Sequence, residues 1–375
     1  MKDLQKRTWA EISLDNICHN YHAIRAQLPE GCRFLGVVKA DAYGHGAVAV
    51  SKLLEKEGAD YLAVSCLDEA LELRENGIKM PILILGHTPP KYTDLLLENN
   101  LTQTVSCLAK ALEYSERAQF YNGELKIHIK LDTGMSRLGF LCQGRHFENG
   151  VDNVAQACKL PGLHAEGMYT HFSVSDEPGE ENSEYTKNQF NLFQEFRSEL
   201  EKRIDKPLEI YHCANSGCVV NCPGYELDMV RPGLLLYGYG DTTGRFGLKP
   251  CMRVVTTVST IKFFDEGTYV SYGRRYVADN RIRMGVLPIG YADGLHRAIS
   301  NKCSFAVKGG FAPQRGSICM DMCMIDLSDF PQADVGSEVE LFGCVNSLYH
   351  LSDAAMTIPY ELMCSISKRV PRVYL

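Results

Sequence analysis

Several reactive side chains stand where apolar runs end. Lys39 follows Phe34-Leu35-Gly36-Val37-Val38 and leads into Ala-Asp-Ala-Tyr-Gly-His-Gly. Lys130 lies within Ile-His-Ile-Lys-Leu-Asp, with Asp132 and Arg137 close behind. His171 follows Gly-Met-Tyr-Thr; His212, Asn215 and Ser216 follow Leu-Glu-Ile-Tyr; Arg231 follows Asp-Met-Val. An amine at the mouth of an apolar strand is desolvated, which disfavours its charged form and lowers its pKa. A lysine tuned in this way can add to a carbonyl as a Schiff base or take a proton from carbon. Alone, a lysine at a strand end is commonly an ordinary rim charge. The residues after Lys39 strengthen the chemical reading: two glycines allow close backbone approach to a ligand, and Tyr43 offers a hydroxyl to an anion.

Positioning such groups needs a scaffold that ends many strands at one face. From about residue 30 to about 240 a short apolar run rich in β-branched residues alternates with an amphipathic stretch. The runs are Phe34–Val38, Tyr61–Val64, Ile82–Leu85, Thr102–Val105, Lys126–Leu131, His164–Thr170, Leu208–Tyr211 and Met229–Leu236. Segments such as AVAVSKLLEKEG and NQFNLFQEFRSELEKR space their apolar residues three or four apart, as helices do. The alternation predicts a parallel sheet with helical crossovers, and a count near eight predicts a closed (β/α)8 TIM-type barrel over an open doubly wound sheet. Periodicity alone leaves the open sheet possible. In a barrel, reactive residues sit past the C-terminal strand ends, where these ones fall.

After DTTGRFGLKP the texture changes to short β-type runs separated by Gly, Asp, Asn and Pro. The expected organisation is therefore an N-terminal barrel over residues 1–240 and a mostly-β domain over residues 241–375.

The net charge of -7, with no basic stripe, disfavours a nucleic-acid partner. The N-terminus lacks the apolar core of a signal peptide, and the longest apolar runs are too short to cross a bilayer, so a cytoplasmic protein without a membrane partner is expected. Fifteen cysteines are scattered without a Cys-x-x-Cys pair, and Cys66, Cys107 and Cys158 sit in apolar contexts. His212, Cys213, Cys218 and Cys222 form a superficially metal-like group, but structural zinc sites pair ligands two to four residues apart on both sides. Reduced, buried thiols and no metal are expected.

The motifs GVVKADAYGHG, KLDTGMSRLGF, GMYTHF, HCANS, VRPGLLLYG, VSYGRRY, PIGYADG, SICMD and PYELMC run in order from residue 36 to residue 364. In this combination the chain closely resembles the alanine racemase family. The resemblance implies a pyridoxal 5'-phosphate enzyme, an isomerase that interconverts L- and D-alanine and supplies D-alanine. It implies Lys39 as the lysine that bonds the cofactor aldehyde. Tyr43, Ser216 and Tyr360 would bind the phosphate, helped by backbone N–H groups at Gly233 and Leu234, with Asn215 nearby. His171 would pack on the cofactor ring, Arg231 would face the pyridine nitrogen, and His212 would support Arg231. An arginine there stays protonated and leaves the ring a weaker electron sink than an acidic partner would, which favours return of a proton to Cα.

The resemblance also implies two opposed bases, Lys39 and Tyr272, the tyrosine coming from the neighbouring subunit of a homodimer. A free tyrosine has a pKa of ~10, so nearby positive charge must lower it, with His171 and Arg231 as candidates. Arg137 would bind the substrate carboxylate with the backbone N–H of Met320. Lys130 matches a position that is often carbamylated, and the carbamate would orient Arg137. Tyr291 and Tyr360 would narrow access to the substrate, with Cys319 and Asp321 in the same region. One departure is Ser317, where the family often has an arginine; Arg315 lies further upstream.

Three other readings compete. A same-fold racemase that prefers serine would replace Tyr360 by something smaller and more polar. A non-catalytic cofactor carrier would need no second base, which VSYGRRY supplies. A decarboxylase would place an acid at the pyridine nitrogen, where Arg231 stands.

Overall fold

Eight short strands are largely buried on both faces, which is why most read as apolar runs, although Thr102–Val105 and Leu125–Asp132 carry polar residues as well. The computed structural model describes residues 7–375. Its parallel strands neighbour one another in the order Met229–Val230, Arg33–Val37, Tyr61–Val64, Ile82–Ile84, Thr102–Val105, Leu125–Asp132, Leu163–Tyr169 and Ile210–His212. The ends of this path meet through Asp228 N–H to the Tyr211 carbonyl (3.0 Å) and Arg231 N–H to the Ala214 carbonyl (2.9 Å), leaving a nearly closed barrel. Helices fill the crossovers. Ala47–Glu57, for example, buries Ala47, Val50, Ser51 and Leu54, one stripe at helical spacing.

The last strand is shorter than its sequence suggests. It stops at Val230 because Pro232 has no N–H to give a ladder, and Leu234–Tyr237 turn into a 3-10 helix.

The chain divides into two compact units, one made of residues 18–42 and 47–248 and the other of residues 7–17, Tyr43–Gly46 and Lys249–Leu375. Residues 7–17 thus leave the barrel to which sequence order assigned them. Thr8–Ile12 pairs antiparallel with Met252–Thr257 and parallel with Arg372–Tyr374. These partners lie hundreds of residues away, so no local pattern marks the pairing. The six-stranded sheet of this unit runs Gly310–Pro313, Ser304–Val307, Glu338–Phe342, Met252–Thr257, Thr8–Ile12, Arg372–Tyr374. A three-stranded sheet (Thr260–Phe264, Ile282–Leu287, Cys323–Asp326) and the pair Tyr269–Val270 with Tyr276–Val277 complete it.

The residues after Lys39 form a left-handed turn. Ala40, Asp41, Ala42 and Tyr43 have φ of 52, 54, 54 and 52°. Each such L-residue costs roughly 1–2 kcal/mol, so the turn must be held. Glu69 Oε1 accepts the Ala40 N–H at 2.7 Å, Asp41 Oδ1 accepts the Ala47 N–H at 2.7 Å, and the Val38 carbonyl accepts the Ala42 N–H at 2.8 Å. At Gly44, with φ of 80°, a Cβ would lie 2.4 Å from the Met363 carbonyl oxygen, and Arg372 Nε donates to the Gly44 carbonyl at 2.9 Å. This glycine is spent on packing against protein, not on the ligand approach expected from the sequence.

None of the fifteen cysteines is in a disulfide, and Cys107 is exposed in spite of its apolar sequence context. No described helix is long and apolar enough to cross a membrane.

Candidate active site

The barrel interior carries a one-way chain of hydrogen bonds. Arg231, buried, donates through NH1 to His212 Nδ1 at 3.0 Å. A guanidinium only donates, so His212 Nδ1 is the acceptor and, in the neutral ring, Nε2 carries the hydrogen. His212 Nε2 meets His128 Nδ1 at 2.9 Å, and His128 Nε2 meets Glu166 Oε2 at 3.1 Å. Every tautomer is thereby set: arginine to His212 to His128 to carboxylate. Tyr61 donates its hydroxyl to the same Glu166 oxygen at 2.5 Å.

Burial first, then Arg231, holds His212 well below the usual histidine range. Burial also lowers His128, although Glu166 pulls the other way. Burial alone would raise the Glu166 carboxyl; His128, Tyr61 and Lys126 outweigh it and bring it to about 2. Two neutral imidazoles therefore connect a buried cation to a carboxylate. Gly167 makes room for this chain, since a Cβ there would lie 2.8 Å from His128 Cε1.

Arg231 NH2 is shared among the Thr170 carbonyl (2.8 Å), the Cys213 carbonyl (3.0 Å) and His171 Nδ1 (3.2 Å). Its side-chain acceptors are thus two imidazoles and two carbonyls, none of them a carboxylate. His171 is half-buried, and its proton affinity is driven well down by burial and then by Arg231, Lys130, Arg137 and Lys39. That brings four of the predicted cations around one ring. It also removes His171 as a source of positive charge, because it is neutral near pH 7.

Lys130 is buried, and its ammonium donates to the Leu131 carbonyl at 2.6 Å. Burial, then the charge of Arg231, lowers its pKa to about 7. Asp132 Oδ1 accepts the N–H groups of Gly134 (3.1 Å) and Ser136 (2.9 Å), shaping the loop that presents Arg137 exposed to solvent. Lys39, half-buried, follows directly on the buried Val38.

At the other end of the predicted cofactor set, Asn215 caps the helix Ser216–Asn221 by accepting the Cys218 N–H at 3.0 Å. Ser216 Oγ accepts the N–H groups of Gly233 (2.9 Å) and Leu235 (3.4 Å), leaving its own O–H as a donor. The Gly233 N–H, expected to meet a phosphate, is engaged by Ser216.

The second unit gathers its own predicted residues. Tyr272, Tyr291, Cys319, Met320 and Asp321 line a concavity of about 880 Å³. Tyr272 is 72% exposed and Met320 54%. Tyr272 sits on a strained turn, with φ of 66° at Ser271 and 51° at Arg274. Ser271 Oγ donates to the Ser317 carbonyl at 2.7 Å, and Ser317 Oγ donates to the Tyr272 carbonyl at 2.8 Å. Ser317 thus braces the turn that carries Tyr272, while Arg315 lies over the Tyr276 ring at 5.1 Å. The Cys319 and Met320 carbonyls accept the N–H groups of Tyr291 and Ala292, both at 3.0 Å. Asp321 accepts from Arg369 at 2.7 Å, and Arg369 and Arg7 also clasp the buried Asp293. Tyr43 is buried with its ring 5.6 Å from that of Tyr360, and burial followed by Tyr360 raises its hydroxyl pKa.

His128, Glu166 and Tyr61 were not anticipated. The signal was available in part: His128, Lys130 and Asp132 alternate with Ile127, Ile129 and Leu131, which puts the three polar residues on one face of a buried strand.

Residues 12–241 match the alanine racemase N-terminal domain family and residues 251–374 the alanine racemase C-terminal domain family. The chain is similar to alanine racemase 1 of Clostridium acetobutylicum, with 43% identity over 375 residues, 98% of this chain and 95% of that one. It superposes on the alanine racemase of Clostridium difficile with a TM-score of 0.92 and 38% identity, covering 100% of this chain and 97% of that one. A structure of the Clostridium difficile enzyme in complex with cycloserine gives 0.90 and 37%, over 100% and 96% of the two chains.

Proposed function

The chain belongs to the alanine racemase family, pyridoxal-phosphate-dependent isomerases that interconvert L- and D-alanine, and we propose that Lys39 and Tyr272 are its two opposed bases. The bound cofactor supplies an electron-withdrawing ring that acidifies the substrate Cα–H. Lys39 carries the cofactor and moves the proton on one face; Tyr272 moves it on the other.

The observation that carries this reading is Arg231. It is buried, and its acceptors are His212, His171 and two carbonyls. An always-protonated donor without a carboxylate suits a pyridine nitrogen that stays unprotonated. With Arg231 at that position the bound cofactor would be a weaker electron sink, which would favour return of the proton to Cα. Since His171 is neutral, the positive charge that tunes Tyr272 falls to Arg231 and the other cations of the barrel, reached by a tyrosine from a second copy.

The remaining roles follow the same reading. The Ser216 hydroxyl, which already accepts two amides, donates to the cofactor phosphate, with the hydroxyls of Tyr43 and Tyr360. Asn215 caps the helix that begins at Ser216, and the Leu234 N–H assists, the Gly233 N–H being engaged by Ser216. Arg137 and the Met320 N–H receive the substrate carboxylate, and Tyr291 narrows the approach. Lys130, with its pKa lowered to about 7, holds a substantial neutral fraction at neutral pH. A neutral amine adds carbon dioxide and releases a proton, giving a carbamate anion that orients Arg137. A Lys130 free of carbamate in an electron-density map obtained with bicarbonate at neutral pH would remove that role.

One exposed face supports a homodimer with shared sites. Tyr272, Met320 and Met322 are 72, 54 and 51% exposed on one concave face, and tyrosine and methionine in such a patch suit a protein partner. Fifteen cysteines outside any disulfide suit a reducing compartment, and we place the enzyme in the cytoplasm.

The test is isotope exchange in heavy water. Tyr272→Phe should retain the cofactor and exchange Cα hydrogen from D-alanine, while exchange from L-alanine falls steeply. Normal exchange from L-alanine in that variant would remove the two-base assignment.

A further inference from the structure

We infer that Cys18, His22 and Glu57 form a surface site for a divalent transition metal of the zinc class. Cys18 and His22 lie one turn apart on the helix Leu14–Arg25, beside a buried stripe of Ile17, Tyr21 and Ile24. Residues four apart on a helix lie over one another on the same face. Glu57 is the last residue of the helix Ala47–Glu57, which Gly58 ends with a φ of 85°. The thiol, imidazole and carboxylate ligand atoms all lie within 4.8 Å of one another, and His22 Nε2 is 2.9 Å from Glu57 Oε2.

Ligand chemistry argues for zinc rather than for a hard cation. One thiolate, one imidazole and one carboxylate make a mixed S, N, O set, and magnesium or calcium would call for oxygen donors throughout. Three protein ligands leave a fourth tetrahedral position for water. Lys56 Nζ lies 3.8 Å from Glu57 Oε1, the carboxylate oxygen turned away from His22, and its side chain is 80% exposed, so it can swing clear of an incoming ion. Both helices hold positions set by buried residues, so the ligand atoms need only close around the metal. On binding, the Cys18 S–H bond breaks, its proton passes to water, and a sulfur–metal bond forms. His22 Nε2, which donates to Glu57 without the metal, gives up its hydrogen to water, Nδ1 carries the ring hydrogen, and the Nε2 lone pair binds the metal in place of the contact with Glu57.

The position gives the site a consequence. The two helices flank the segment that contains the strand Arg33–Val37 and the left-handed turn after Lys39. A metal here clamps the elements on either side of the lysine segment without using any residue assigned to the reaction. It should act on thermal stability more than on turnover. No sequence rule marked it: Cys18 and His22 make half of a motif, and Glu57 comes 35 residues after His22.

Cobalt(II) is the probe, titrated into chelator-treated holoenzyme. The wild-type chain should take up about one cobalt, with thiolate charge-transfer and tetrahedral d–d absorption, and melt at a higher temperature. Cys18→Ser should lose the thiolate band, and His22→Gln should lose the bound equivalent and the thermal shift, while both keep racemase turnover. His22 is exposed, so its variant tests the site even if the half-buried Cys18 proves less tolerant. Equal cobalt uptake by wild type and His22→Gln, or a thiolate band that persists in Cys18→Ser, would overturn the assignment.

Discussion

Glu166 offers the sharpest test of the buried hydrogen-bond chain. Glu166→Leu leaves two buried donors, the Tyr61 hydroxyl and His128 Nε2–H, without their acceptor. A stranded buried donor costs about 1–3 kcal/mol, so the pair should cost about 2–6 kcal/mol. Glu166→Gln keeps an acceptor but removes the charge. Charge-assisted bonds contribute about 1.5–3 kcal/mol and neutral ones about 0.5–1.5, so this variant should lose about 2 kcal/mol. Adding Tyr61→Phe to Glu166→Leu removes one stranded donor and should restore stability, whereas Tyr61→Phe alone should reduce it. The carboxyl is lowered to about 2 in the folded chain, so its contribution is present above the unfolded value of ~4.3 and is lost as pH falls through that value toward 2. Glu166→Gln should lack this acid-side loss. Denaturant unfolding at fixed protein and cofactor concentration measures all four variants. If Leu were no worse than Gln, or Tyr61→Phe had the same sign in both backgrounds, the donor chain would be wrong.

Three further outcomes are expected. His128, His171 and His212 all have lowered pKa values, so they stay neutral when folded and gain protons when unfolded; stability present above the unfolded value of ~6.5 should fall below it by up to about 1.4 kcal/mol per pH unit for each, and a flat denaturation midpoint between neutral and mildly acidic pH would refute this. Ser317→Ala removes one hydrogen bond to the Tyr272 carbonyl, worth about 1 kcal/mol, and should slow exchange from L-alanine by no more than about fivefold; a far larger fall would mean that Ser317 touches the chemistry itself. Equal mixing of Lys39→Ala with Tyr272→Phe, reassembled from separated subunits, should recover about a quarter of wild-type turnover if sites are shared across a two-fold axis, and none if Tyr272 serves its own chain.

Sequence reading went furthest where local pattern and burial coincide. A strand such as Tyr61–Val64 is apolar because both its faces are covered, and the expected bounds of Tyr61–Val64 and Thr102–Val105 match residue for residue. The reading failed where a partner is remote. Thr8–Ile12 joins a sheet with strands that begin at residues 252 and 372, and nothing in Thr-Trp-Ala-Glu-Ile says so. The overlong final strand was avoidable, since Pro232 carries its own warning. Among the reactive residues, Lys39, Lys130, His171, His212 and Arg231 were visible as polar groups at strand ends. What joins them was not: His128 and Glu166 meet because neighbouring parallel strands bring residues 38 apart to one spot. The glycines after Lys39 were legible as permissive, but their packing partners, Met363 among them, lie at the far end of the chain.

The brief departure of Tyr43–Gly46 from the barrel has a consequence for how this protein can be taken apart. The chain passes between the two units four times, after Ile17, Ala42, Gly46 and Leu248, so no single cut separates them. A barrel expressed as residues 18–248 would carry Gly44 without the Met363 carbonyl and the Arg372 side chain against which it is packed, and the costly left-handed turn beside Lys39 would lose part of its support. Although the units look like two modules, recombination cannot trade one for another at a linker. A foreign second half would have to supply matching partners for Tyr43–Gly46, which ties the inheritance of the lysine loop to that of the C-terminal tail.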